Sequence, residues 1–183
     1  MGTTGLVTAD ALARMGERGR HLELARGVLV PVNPPGYEHG RLALVIGARL
    51  LAFAESRGLG TVLVESGFTL FRNPDTVRGP DVSFVRRDRL SAAPRRGFFA
   101  GAPDLAVEVR SPDDAPEEVF DKAHEYLRAG TRLVWVIDPE AKTAWAYRPG
   151  SERLTLTMDD ALDGADVLAG FMLPLAELFA DPV

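Results

Sequence analysis

Residues 133–137 read Leu-Val-Trp-Val-Ile, apolar at every position. Successive side chains of a strand point to opposite faces, so a strand apolar at both parities needs cover on both sides. This run predicts a central strand and, with it, a sheet that has something packed on each face. Two helical patterns can supply the cover. From Tyr37 to Arg57, Leu42, Val45, Ile46, Arg49, Leu50 and Phe53 follow helical spacing, and Gly58 gives a stop. From about Pro116 to Ala129, Val119, Phe120, Ala123 and Leu127 make an apolar stripe that ends at Gly130.

Shorter signals fill the rest. A short helix is expected at Thr8 to Met15, with Thr8 as its cap. His21 to Ala25 and Val28 to Val32 flank Arg26-Gly27, which reads as a tight hairpin. Strands are expected at Thr61 to Glu65, Phe68 to Phe71, Asp81 to Val85, Leu105 to Arg110, Thr143 to Arg148 and Leu154 to Thr157. A last helical turn is expected at Ala176 to Phe179. Helix, block of strands, helix, further strands is the order of an α/β or α+β fold with one mixed sheet. The 183 residues contain no repeat, low-complexity tract or linker, so residues 1–183 are read as one domain.

Composition narrows the function classes. There is no cysteine, so there is no disulfide framework, thiol nucleophile or thiolate metal site. No apolar run reaches the length of a membrane span, and Met1 to Gly5 lack the pattern of a signal peptide. The protein is therefore expected to be cytoplasmic. The net charge of −5 argues against a protein that coats nucleic acid without specificity. Arg86, Arg87 and Arg89, with Arg95 and Arg96, concentrate positive charge. They suit either a solvated loop with a short helix or a phosphate-contacting rim beside a site.

Two strands carry a carboxylate in apolar surroundings. One begins Pro80-Asp81-Val82-Ser83-Phe84-Val85; the other is Pro103-Asp104-Leu105-Ala106-Val107-Glu108-Val109-Arg110. By alternation, Leu105, Val107 and Val109 share one face, and Asp104, Ala106, Glu108 and Arg110 share the other. An ionised Glu108 in mid-strand is costly unless a cation, metal or donors compensate it. Two carboxylates on neighbouring strands suit a hard divalent cation, which takes oxygen ligands and keeps several waters. The alternative is that Glu108 pairs with an arginine such as Arg110, and that Asp81 caps a turn after Gly79-Pro80. Walker-type phosphate loops, dinucleotide fingerprints and zinc-spaced histidine pairs are absent.

The segments 80–85 and 103–112, then Lys122 to Tyr126 with Gly130, then Trp135-Val136-Ile137-Asp138-Pro139 resemble, in that order, the Uma-type putative restriction endonuclease family. That family belongs to the PD-(D/E)XK nuclease superfamily. Leu22-Glu23-Leu24-Ala25-Arg26-Gly27 resembles its opening hairpin, and His39 matches a histidine at the start of its long helix. The resemblance spans about residues 8 to 178.

The resemblance implies a restriction-endonuclease-like fold, a central mixed sheet flanked by helices. It also implies Asp81 and Glu108 as catalytic metal ligands for Mg²⁺ or Mn²⁺, and a nucleic-acid substrate, with DNA first. The superfamily pattern places a lysine two residues after the glutamate, where this chain has Arg110. Arginine can stabilise charge but does not give up its proton, so it cannot serve as a base. The family's lysine matches Lys122 on the following helix. Lys122 could equally form an exposed pair with Glu118, four residues earlier. Tyr126, one turn further on, either lines the site or covers the sheet. Glu23 could add a carboxylate or be a solvated strand residue, and His39 could be structural.

Three functions follow. The first is a Mg²⁺- or Mn²⁺-dependent DNA endonuclease. The second is a catalytically weak or inactive nuclease fold that binds nucleic acid or a protein partner. The third is a scaffold or homodimer joined through the long helix, a two-fold arrangement that suits a duplex.

Overall fold

The computed structural model describes residues 5–94, 96–112 and 114–181. Arg95 lies outside the described residues. Helix α1 (Ala9–Arg14) leads to a hairpin of β1 (Leu22–Ala25) and β2 (Val28–Pro31). The long helix α2 (Tyr37–Arg57) follows, then β3 (Gly60–Val64), β4 (Phe68–Phe71), β5 (Thr76–Arg78) and β6 (Val82–Arg86). A 3-10 turn at Arg87–Ala92 precedes β7 (Phe99–Ala100), β8 (Leu105–Val109) and helix α3 (Pro116–Arg128). Strands β9 (Leu133–Asp138), β10 (Thr143–Tyr147), β11 (Leu154–Leu156), β12 (Ala161–Asp163) and β13 (Met172–Pro174) come next, and α4 (Leu175–Leu178) is last. Among the described residues no helix is long and apolar enough to cross a membrane.

The expected mixed sheet flanked by helices is present, but it is divided in two. Six strands run in the order β11-β10-β9-β8-β6-β3, and five in the order β2-β1-β5-β4-β7; β12 and β13 form a separate ribbon. Each larger sheet is antiparallel apart from one parallel pair, β8 with β9 and β4 with β7. The division occurs at Gly79-Pro80-Asp81. β5 pairs back to β1 and β4, whereas β6 joins β3 and β8. Pro80 has no N–H for a ladder, so the chain changes sheets there without forfeiting a bond. Strands β5 and β7 have three and two residues, too few for an alternation to register in the sequence.

The helices cover the larger sheet on opposite faces. Leu42, Ile46, Leu50 and Ala54 of α2 pack on Val82, Phe84, Leu105, Val107, Val109 and Trp135, all buried. Fully burying one such aliphatic side chain is worth about 1.5–3 kcal/mol, so this layer is the main adhesive of the domain. On the other face, Val119, Ala123 and Tyr126 of α3 pack on Ala106, Val134 and Val136. Val134 and Val136 thus face α3 while Leu133, Trp135 and Ile137 face α2, the two-sided burial that the apolar run demands. Gly58 closes α2 in the left-handed conformation (φ 60°), and Arg26-Gly27 turns the hairpin with φ 49° and 82°. A two-residue hairpin turn of this kind needs positive φ at both positions, which glycine supplies without strain.

Candidate metal centre

Glu108 lies in mid-β8, level with Val136 of β9, on the face covered by α3. Pro116 occupies the first turn of α3, where its missing N–H costs nothing. Val119, Ala123 and Tyr126 then recur at helical spacing and seat the helix on the sheet. Lys122 falls between them, so the same packing carries its side chain over Glu108. The Tyr126 hydroxyl donates to Glu108 Oε1 at 2.8 Å, and Lys122 Nζ stands 3.7 Å from Oε2. Lys122 is also 3.4 Å from Glu23 Oε2, at the inner end of the first hairpin. Its carboxylate partners among the described residues are therefore Glu23 and Glu108, not Glu118.

Asp81 enters from the turn that changes sheets. The Val109 N–H donates to Asp81 Oδ2 at 2.6 Å, which ties this carboxyl to the residue next to Glu108. His39, in the first turn of α2, places Nε2 3.3 Å from the same oxygen. Three separate segments thus converge: the turn before β6, mid-β8 and the start of α2. Tyr126 is fully buried and both covers the sheet and bonds to Glu108.

A second layer supports the first. Arg78, at the end of β5, is a largely covered cation between two glutamates. Its Nη1 is 2.9 Å from Glu23 Oε2 and its Nε is 2.6 Å from Glu125 Oε2. The Gly79 N–H donates to Glu23 Oε1 at 2.9 Å. Arg78 and Glu125 carry no mark in the sequence. Arg78 ends a three-residue strand, and Glu125 reads as an ordinary exposed helix residue until α3 is docked.

The charges are strongly coupled. Burial dominates Glu108 and pushes its carboxyl up to about 7, against the pull of Lys122 and with the help of Asp81 and Glu23. Lys122 is raised, foremost by Glu108 and against its own burial, so its amine stays protonated across the physiological range. Burial acts to lower His39, but the bond to Asp81 and the charges of Asp81, Glu108 and Asp114 outweigh it, and the net shift is upward. Burial and the Glu108 charge raise Tyr126, which stays a donor.

Other residues singled out in the sequence lie elsewhere. The ladder of β8 ends at Val109, and the Arg110 guanidinium turns to Asp138, with Nη1 2.6 Å from Oδ2. The Arg110 N–H still donates to the Ile137 carbonyl at 2.8 Å, which sets its side chain beside Asp138, the next residue of β9, so Arg110 is committed to Asp138 rather than to Glu108. Arg86, Arg87 and Arg89 are not beside the carboxylates. Asp81 precedes β6 and Arg86 ends it, and five residues of strand span about 17 Å. Arg86 pairs with Asp88 at 3.3 Å. Arg89 donates to Asp104 Oδ2 at 2.9 Å and to the Ala102 carbonyl at 2.7 Å, so it is a structural clasp. Asp104 also accepts the Arg86 N–H at 2.9 Å. Asp104→Ala is expected to lower stability by about 1–3 kcal/mol, read from the chemical-denaturation midpoint, because it strands that amide and frees Arg89.

The donor set suits a hard divalent cation. Glu108 is a buried carboxyl short of positive charge even with Lys122 beside it, and Asp81 adds a second anionic oxygen donor nearby. No group of three or more His, Asp or Glu side chains among the described residues forms a ready cage. An ion of the Mg²⁺ type needs only one or two carboxylates plus water and substrate oxygens.

The family model described as Uma2, putative restriction endonuclease, matches residues 9–176. Among solved structures, the chain is similar to a putative nuclease belonging to DUF820 from Anabaena variabilis ATCC 29413. That likeness has a TM-score of 0.83 and 22% identity over 94% of this chain and 97% of the other, and it establishes a common fold. No curated protein matches the chain.

Proposed function

The chain belongs to the Uma2 family of putative restriction endonucleases, and from that premise we propose that it is a nuclease that uses Mg²⁺ or Mn²⁺ to hydrolyse phosphodiester bonds, with DNA as its substrate. The observation that carries the proposal is the placement of the Lys122 amine 3.7 Å from Glu108, with Asp81 bonded to the adjacent Val109 N–H.

Asp81 and Glu108 would hold the ion. When bound, such an ion polarises the phosphate, lowers the pKa of a bound water and neutralises the leaving oxygen. The chain's own residues do the rest. Lys122 remains an ammonium, so it orients water and stabilises charge on the phosphate rather than accepting a proton. Tyr126 fixes one oxygen of Glu108, and the Val109 N–H with His39 fixes one oxygen of Asp81. Arg78 and the Gly79 N–H hold Glu23 in place, so that carboxyl bears on Lys122 without being free to wander. Positioning of this kind on rigid strands is what a preorganised site requires.

The test is cleavage of DNA by the purified chain with Mn²⁺, alongside calorimetric titration of the ion. Asp81→Asn is expected to lose both Mn²⁺ binding and cleavage. Lys122→Met is expected to retain Mn²⁺ binding and to lose cleavage by roughly 10²–10³-fold. Mn²⁺ binding without cleavage of any DNA or RNA, single- or double-stranded, would overturn the catalytic assignment in favour of a nuclease fold kept for binding. Unchanged Mn²⁺ binding in Asp81→Asn would overturn the metal assignment.

A further inference from the structure

A cleft of about 330 Å³ adjoins the carboxylates. Tyr37 and His39 line it from the start of α2, Arg110 and Pro112 from the segment after β8, and Asp138 and Pro139 from the end of β9. It is continuous with the metal centre, because His39 lines it while its Nε2 lies 3.3 Å from Asp81 Oδ2.

The lining selects the occupant. Tyr37 is 81% exposed, a large aromatic surface left in water at the mouth of a cavity. Pro112 and Pro139 are rigid, flat and apolar. Among the described lining residues, Arg110 is already held by Asp138 at 2.6 Å and Glu38 by Arg41 at 2.6 Å, so these charges are paired within the protein. A phosphate entering here could gain the Arg110 guanidinium only by breaking its pair with Asp138. A neutral planar ring would meet stacking surfaces. The volume falls at the small end of ligand clefts, ample for one planar base.

Resting on the nuclease reading above, we infer that this cleft receives one unpaired nucleobase of the strand whose phosphate lies at Asp81 and Glu108. The preferred substrate is therefore single-stranded nucleic acid. A base in a duplex can enter only by leaving its stack and its partner, whereas a base in a single strand is already available. Tyr37 supplies the stacking face. It is the first residue of α2 and makes no buried contact, so its replacement leaves the fold intact.

The experiment compares binding of a short single-stranded DNA and of the matching duplex, by fluorescence anisotropy in Ca²⁺. The proteins are the wild-type chain, Tyr37→Ala and Tyr37→Phe. The single strand is expected to bind about tenfold or more tightly than the duplex. Tyr37→Ala is expected to lose about tenfold for the single strand alone, while Tyr37→Phe, which keeps the ring, stays near wild type. A 2-aminopurine in the strand is expected to be quenched by wild type and not by Tyr37→Ala. Equal or tighter binding of the duplex, or wild-type affinity in Tyr37→Ala, overturns the inference. Either result can occur while Mn²⁺-dependent cleavage persists, so the inference can fail without the nuclease assignment. Conversely, loss of stacking in Tyr37→Ala with no cleavage under any condition upholds the cleft and overturns the nuclease assignment.

Discussion

Glu108→Gln is expected to abolish cleavage and, at the same time, to make the metal-free protein more stable at pH 8. The two effects have one cause. Glu108 is buried, and burial outweighs Lys122 in setting its carboxyl to about 7, well above the ordinary 4.5. The folded state therefore binds a proton more tightly than the unfolded chain does. Stability from this group is complete below about pH 4.5 and declines as pH rises through about 7. Above that, the metal-free fold carries an ionised glutamate in an apolar strand. The amide keeps the shape and an acceptor for the Tyr126 hydroxyl but removes the charge. The expected gain at pH 8 is about 1–3 kcal/mol, reduced by the loss of the Glu108 charge beside Lys122. It should shrink toward zero near pH 5, where the wild-type carboxyl is itself neutral. Cleavage should fall by on the order of 10³-fold, because a neutral amide is a far poorer ligand for a hard cation. Thermal denaturation in a chelator across the pH range, together with a cleavage assay in Mn²⁺, checks both. A variant that is inactive and also less stable at pH 8 would mean that Glu108 serves the fold rather than holding a cation.

Arg78→Leu is expected to have the largest effect on folding. Arg78 is 12% exposed and bridges Glu23 and Glu125, themselves 8% and 13% exposed. The pairs gain little over an apolar replacement of the whole group, but removing the cation alone leaves the buried Glu23 and the largely covered Glu125 uncompensated. Breaking a buried network in this way costs about 3–5 kcal/mol. For a domain of this size that lowers the melting temperature by roughly 10 °C. Arg78→Lys should recover only part of the loss, since one ammonium cannot serve two carboxylates in the geometry of a guanidinium fork. A melting temperature within a degree or two of wild type would mean that Lys122 alone compensates Glu23.

The legibility of this site differed residue by residue. Glu108 was readable because a charged residue between two valines in an apolar strand is an anomaly that local pattern exposes. Asp81 was singled out by its place at the head of an apolar strand and by the ordered family resemblance, whereas the Gly79-Pro80 turn offered a local alternative as a cap. Lys122 was ambiguous, since Glu118 at helical spacing offered a local partner that cost no tertiary assumption. Docking α3 on Ala106 and Val136 gave the amine two carboxylates from distant strands instead. Arg110 shares the strand parity of Glu108, but its partner is Asp138 at the end of β9, which local spacing does not name. Arg86, Arg87 and Arg89 suited two readings, a solvated loop or a phosphate-contacting rim, because a charge run has no address until the strand before it is placed. Arg78 and Glu125 left no trace, as neither breaks any local pattern.

The chain by itself determined its layers. Apolar side chains at both parities of residues 133–137 required a sheet covered on two faces, and two helical stripes were available to cover it. These are properties of spacing along a few residues, so they survive without coordinates. What only the tertiary structure decided was the division into two sheets at Pro80, the pairing of Lys122 with Glu23 and Glu108, and the cleft between Tyr37 and Pro139. Each depends on residues far apart in sequence meeting at a fixed distance. Such meetings are set by how helices and strands pack, and no local spacing encodes them.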